Sequence, residues 1–202
     1  MNNKKKTIIL IVLFIILITG ASALYNSLSK NYQPDTLLVE ENSNTTATQT
    51  PNQTEDSSSE SKNLAPNFTV LDLDGNEVNL TDFFGKPIIL NFWASWCGPC
   101  KMEMPDFNEA YAAYKDEIEF LMVNMTDGSR ETVEKASSFI AESGYTFPVY
   151  YDTDLEAAKA YSVYSIPTTY FLDENGYIIA QGRGALDAKT LQTGIDYIYQ
   201  VK

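Results

Sequence analysis

The chain has 202 residues, a formal charge of −13 (14 Lys and Arg against 27 Asp and Glu), two cysteines and no histidine. That acidic balance, without any run of interleaved basic and aromatic residues, repels phosphate backbones and argues against nucleic acid as a partner. Without histidine there is no Ser–His–Asp triad, Cys–His pair, imidazole-ligated zinc or CxxCH haem attachment, Lys101 standing where that last motif needs histidine. Carboxylate or cysteine chemistry remains.

The N-terminus carries Lys4, Lys5 and Lys6, then an apolar run from Ile8 to Ile18 with a weaker tail to Leu24. No polar face exists at any helical period, which excludes a buried core helix. Thr7 to Leu24 is 18 residues, near the lower limit for crossing a bilayer, and Ala21-Ser22-Ala23 has the form of a signal-peptide cleavage site. Residues 1–24 are therefore expected to be an uncleaved membrane anchor, with secretion after cleavage as the alternative. In both cases the lysines stay inside and the rest of the chain is exported. No cysteine follows the apolar run closely enough to carry a lipid. Residues 25–63 are rich in Asn, Ser, Thr and Gln and have little to bury, so a disordered tether is expected, spanning about 30–40 Å.

The folded domain is expected over residues 64–202. Phe68–Leu71 and Glu77–Leu80 read as strands around the Asp74-Gly75 turn, a hairpin signal. The run IILNFWA at 88–94 reads as a strand buried on both faces. A helix follows over 99–115, then a strand (119–125), a helix (130–143), a short strand (147–151) and a helix (154–161). Strands at 169–172 and 177–181 flank Glu174-Asn175-Gly176, and a last helix runs from an Asp187 N-cap to Tyr199. Gly182 and Gly184 read as backbone-conformation residues after the last strand. Strands alternating with helices and ending in a hairpin indicate an α/β fold, a mixed central sheet flanked by helices.

Both cysteines lie in WCGPC, residues 96–100. Cys97 falls where a buried strand turns into a helix, so unpaired N–H groups and the helix dipole favour its thiolate. Cys100 is three residues on and shielded by its own helix. The asymmetry supplies one nucleophile and one resolving thiol able to release a mixed disulfide. A zinc half-site completed by carboxylates or a second chain, and a structural disulfide, remain as alternatives. The first has two of four ligands, and the second closes a loop too short to be a strong staple. Redox exchange is favoured, with no metal expected.

The segment FWASWCGPCKMEMP resembles the active site of thioredoxin-fold proteins at Phe92, Trp93, Trp96, Cys97, Gly98, Pro99, Cys100, Lys101 and Pro105. Ile166-Pro167-Thr168 resembles that family's cis-proline segment. More specifically, residues 64–202 are similar to the TlpA/ResA-like extracytoplasmic thioredoxins: the opening hairpin, the 67-residue separation of Cys100 and Pro167, and Glu103 in a CxxCxxE arrangement carry this likeness. The resemblance implies a thioredoxin-like three-layer fold with an N-terminal β-hairpin and a central strand–helix insertion. It implies that Pro167 is cis and packs beside the cysteines, leaving the Ile166 backbone free for a substrate strand, with Trp96, Gly98 and Pro99 also contacting substrate. Asn91 stands where cytoplasmic thioredoxins carry a buried aspartate. Glu103, one turn beyond Cys100, then becomes the candidate proton carrier, against an ordinary solvated residue as the alternative. Tyr164 is a weaker candidate for the substrate groove.

The expected protein is a monomeric extracytoplasmic thiol–disulfide oxidoreductase with no cofactor beyond the Cys97–Cys100 disulfide. Gly-Pro between the cysteines favours reduction of exported disulfides, apocytochrome c cysteines among the candidates, with electrons from a thiol-relaying membrane protein. The rivals are a disulfide-forming oxidase, a peroxiredoxin-like peroxidase, and a non-enzymatic metal-binding or adhesion module.

Overall fold

The computed structural model describes residues 63–199 and the backbone of Leu38–Val39. The expected anchor, residues 1–24, lies outside the described residues, as does most of the expected tether. In chain order the elements are β1 (Leu38–Val39), β2 (Thr69–Leu71), β3 (Glu77–Asn79), a 3-10 turn (Leu80–Phe83), β4 (Ile88–Trp93), α1 (Gly98–Tyr114), β5 (Glu119–Asn124), α2 (Val133–Ser143), β6 (Val149–Tyr151), α3 (Glu156–Ala160), β7 (Thr168–Leu172), β8 (Ile178–Arg183) and α4 (Ala188–Tyr199). They form one sheet in the order β1-β8-β7-β4-β5-β6-β2-β3. β4, β5 and β6 are parallel neighbours, and every other pairing is antiparallel. This is the mixed α/β fold expected, with α2, β6 and α3 inserted between β5 and β7.

Two differences bear on the sequence reading. Leu38–Val39, inside the segment read as a disordered tether, pair with Gln181 and Ala180 along the outer edge of β8. An apolar triplet, Leu37-Leu38-Val39, interrupts the polar composition, and an open strand edge offers unpaired N–H and C=O groups to such a segment. The helix expected from Arg130 instead begins at Val133, after Thr132, whose hydroxyl caps Lys135 N. Asp127 Oδ1 holds the N–H groups of Ser129 and Glu131, and this local turn competes with helix over 127–131. Elsewhere the elements fall within a few residues of expectation. Gly182 lies inside β8 and not after it, whereas Gly184 follows the strand in the left-handed region, φ +81°.

Alternation along the central strands sets the site. In β4, Ile89 and Trp93 join one core and Ile88, Leu90 and Phe92 the other, so all six residues are buried. In β7, Phe171 joins the first core and Tyr170 and Leu172 the second. In β5, Phe120 and Met122 join the first, and Leu121 and Val123 the second. The first core also contains residues of α1 (Cys100, Met104, Phe107), α2 (Ala136) and α4 (Leu191, Ile195, Ile198). The second contains Phe68, Leu80, Ala157 and Tyr161, from the hairpin, the 3-10 turn and α3 with its C-terminal end. The first core dictates what surrounds the cysteines, because the odd positions of β4 and β7 and the even positions of β5 all face it.

Candidate active site

β4 ends at Trp93, and the chain turns through Ala94, Ser95 and Trp96 into α1. Cys97 is the N-cap: its sulfur accepts the Cys100 N–H at 3.2 Å, and Pro99 occupies the first helical turn, where its missing N–H costs nothing. Cys97 and Cys100 are joined in a disulfide with their Cα atoms 5.3 Å apart. Cys97 is 4% exposed and Cys100 fully buried, while Gly98 and Pro99 stand exposed beside them. The first sulfur is thus the one with a solvent path, and the helix start offers its N–H groups to that sulfur when the pair is reduced.

The Ile166–Pro167 peptide bond is cis. Pro167 is buried, and the Ile166 carbonyl oxygen lies 3.6 Å from Cys97 Sγ. Pro167 O accepts Gly184 N–H, and Thr168 Oγ1 donates to Ser165 O, which ties the loop to the residue after β8 and to itself. The 3.6 Å contact places the Ile166 backbone against Cys97 Sγ. Trp96 is 40% exposed and Tyr164 95% exposed, the latter standing clear of the core.

Glu103 lies within the second turn of α1 and is buried, not solvated. Asn91, on the same face of β4 as Ile89 and Trp93, donates its amide to Glu103 Oε1 at 2.8 Å and to Thr169 Oγ1 at 3.0 Å. Thr169 is its register partner on β7, which explains the second bond. Leu186 N–H, arriving just before α4, donates to Glu103 Oε2 at 2.9 Å. Burial raises the Glu103 carboxyl to about 8; the Leu186 and Asn91 bonds oppose that rise, and Asp106 adds to it. A carboxyl titrating there can hold or release a proton at physiological pH, and it sits one helical turn from Cys100.

Sequence reasoning missed Glu131. Its fully buried carboxylate accepts Ser95 N–H (2.7 Å), Ser95 Oγ–H (2.7 Å) and the Asn124 amide (2.8 Å), tying the 127–131 loop to the turn before Trp96. Asn124 shares the face of Phe120 and Met122 by alternation along β5. The available signal was Asp127-Gly128-Ser129, a turn sequence that pushes the helix start to Thr132 and frees Glu131 to point inward. The next loop residue back, Arg130, stacks its guanidinium on Trp96 with 3.5 Å from Cζ to the ring centroid.

Residues 62–181 match the AhpC/TSA family. The chain is 38% identical over 135 residues to the thiol-disulfide oxidoreductase ResA of Geobacillus kaustophilus, covering 66% of this chain and 75% of that protein. Among solved structures it is similar to StoA from Bacillus subtilis, at 31% identity and TM-score 0.57, covering 65% of this chain and 98% of the other. It is also similar to the pneumococcal exposed lipoprotein thioredoxin of Streptococcus pneumoniae, at 30% identity and TM-score 0.55, covering 65% and 99%.

Proposed function

We propose, from the premise that the chain belongs to the AhpC/TSA family, that it reduces disulfides of exported proteins. The protein is a thiol–disulfide oxidoreductase, as its ResA relatives are named. In the reductive direction the Cys97 thiolate attacks one sulfur of a substrate disulfide, and the second substrate sulfur leaves as a thiolate. Cys100, deprotonated, then attacks Cys97 Sγ in the mixed disulfide. The Cys97–Cys100 disulfide forms, the first substrate sulfur departs, and the substrate ends with two thiols. Two electrons pass from protein to substrate, and Glu103 takes the proton that Cys100 must lose. Ile166, Pro167, Trp96, Gly98 and Pro99 form the surface that receives the substrate strand.

The observation that carries this reading is the Ile166 carbonyl, 3.6 Å from Cys97 Sγ in a cis-proline loop. It sets a backbone segment beside the attacked sulfur, where an extended chain can align. Gly98-Pro99 resembles the pairing of reducing thioredoxins, which supports the direction. Residues 7–24 support a membrane tether with the catalytic domain outside, and one structural relative is named as an exposed lipoprotein. Reduction outside a membrane needs electrons from a thiol-relaying membrane protein, and exported disulfides, apocytochrome c cysteines among them, are the substrates. The domain acts as a monomer, with no cofactor beyond its own cysteine pair.

Two measurements test this. Cys100→Ser expressed in cells is expected to hold substrate or donor as a mixed disulfide on Cys97; capture on Cys100 in the reverse variant alone would contradict the assignment. A Cys97–Cys100 potential near about −270 mV supports a reductase, and one near about −120 mV identifies an oxidase instead.

A further inference from the structure

We propose that Arg130, stacked on Trp96 beside Cys97, is a specificity residue that selects disulfides flanked by a carboxylate-bearing residue of the substrate polypeptide. The inference rests on the thiol–disulfide exchange described above and adds the charge of the substrate to it.

Successive residues of the 127–131 loop point in opposite directions. Asp127 Oδ1 accepts Ser129 N–H at 2.8 Å and Glu131 N–H at 3.0 Å, Gly128 turns at φ +74°, and Gly128 N–H reaches Glu131 O at 2.9 Å. The closed loop drives Glu131 inward onto Ser95 and presents exposed Arg130 outward onto Trp96. Ser95 and Trp96 are consecutive, as are Glu131 and Arg130. Two adjacent rungs therefore join the same two segments, and Cys97 is the next residue along. Placement of the guanidinium follows from the buried rung.

A guanidinium lying on an indole keeps its N–H groups at its edges, and those edges match the two oxygens of a carboxylate. Among the described residues no carboxylate takes them: the ion pair found there is Lys86–Glu119, elsewhere on the domain. Asp127 is committed to its own loop backbone, and Glu134 to Thr132 and its helix start. Two further cations extend the flank. Lys135 Nζ donates to Ser129 O and Arg130 O at 3.2 and 2.9 Å. One turn along α2 from it, Phe139 carries Lys101 Nζ 5.2 Å from its ring centroid. Lys101 directly follows Cys100. In a chain of charge −13, Arg130, Lys135 and Lys101 are three cations without a carboxylate partner among the described residues, carried by the loop that packs on Trp96, the start of α2 and the residue after Cys100. Such a flank attracts an acidic substrate segment and repels a basic one.

The test uses the reduced protein and two synthetic disulfide-bridged peptides, identical except for Glu or Lys beside the cysteines. Second-order rate constants for a single turnover are read by acid quench and mass spectrometry. The Glu peptide is expected to react about fivefold faster than the Lys peptide at low salt, the scale of one well-formed exposed ion pair, with the preference fading by about 0.5 M salt. Arg130→Gln is expected to collapse the ratio toward one, Arg130→Lys to retain part of it, and Arg130→Glu to reverse it. Near-ultraviolet circular dichroism establishes that each variant keeps the fold. Equal wild-type rates, or a ratio unchanged in Arg130→Gln, would overturn the proposal and leave the exchange chemistry standing. Failure of the wild type to reduce either peptide would overturn both.

Discussion

Glu103 and Glu131 lie against the same side of the sheet, both buried, and both met by an asparagine from a central strand and by a backbone N–H. Their surroundings nonetheless suit them to different work. Glu131 accepts three hydrogen bonds from two residues and joins two loops; it is a fully engaged anchor. Glu103 accepts two, and they do not offset its burial, which holds its carboxyl up at about 8. Burial alone does not mark a proton carrier. The role proposed for Glu103 rests on the balance between lost water and supplied donors, together with its place one turn from Cys100, the sulfur that gives up a proton in the proposed exchange.

The comparison can be broken in descending order of effect. Glu131→Ala removes the acceptor from a half-buried backbone N–H, a hydroxyl and a buried amide. It is expected to cost about 3 kcal/mol or more in urea unfolding, with Glu131→Gln costing less because one oxygen remains. A loss below about 0.5 kcal/mol would show that the rung holds nothing.

Glu103 supplies a pH signature of its own. Its carboxyl keeps a proton when folded that it has already released when unfolded, from about 4.5 up to about 8. The folded state binds more protons in that window, so stability falls as pH rises through it and levels off above. Glu103→Gln is expected to flatten the fall, which amounts to at most a few kcal/mol across the window. Denaturant midpoints measured from pH 5 to pH 9 check this, and parallel curves for wild type and variant would sink it.

Gly194→Ala is the smaller, controlling change. A Cβ there would meet the Phe171 ring at 2.2 Å, so α4 or that ring must give way, a packing change that replaces neither carboxylate. A loss of about 1–2 kcal/mol is expected, with the pH dependence unaltered. An altered pH profile would mean that packing, not Glu103, sets it.

Much of the fold was legible because the residues repeat what the backbone requires. The continuous apolar run of β4, the proline and N-cap cysteine opening α1, and Asp187 capping Thr190 N–H all announce their elements locally. The cysteine pair was legible for the same reason. The identity of Glu103 as a candidate came from a resemblance, whereas its partners did not: Asn91, Thr169 and Leu186 meet only when β4, β7 and the entry to α4 converge. Glu131 escaped because it was placed on the first turn of a helix, where an acidic residue needs no further explanation. Leu38–Val39 escaped because two apolar residues in a polar stretch form a strand only when β8 offers an edge.

The most direct test of the central claim is the pH dependence with which Cys100 resolves a preformed mixed disulfide on Cys97, compared between wild type and Glu103→Gln. The wild-type rate is expected to inflect near pH 8. The variant is expected to lose that inflection and, below it, to run slower by about 10²-fold, the scale of general acid–base catalysis. Superimposable rate profiles for the two proteins would contradict the account.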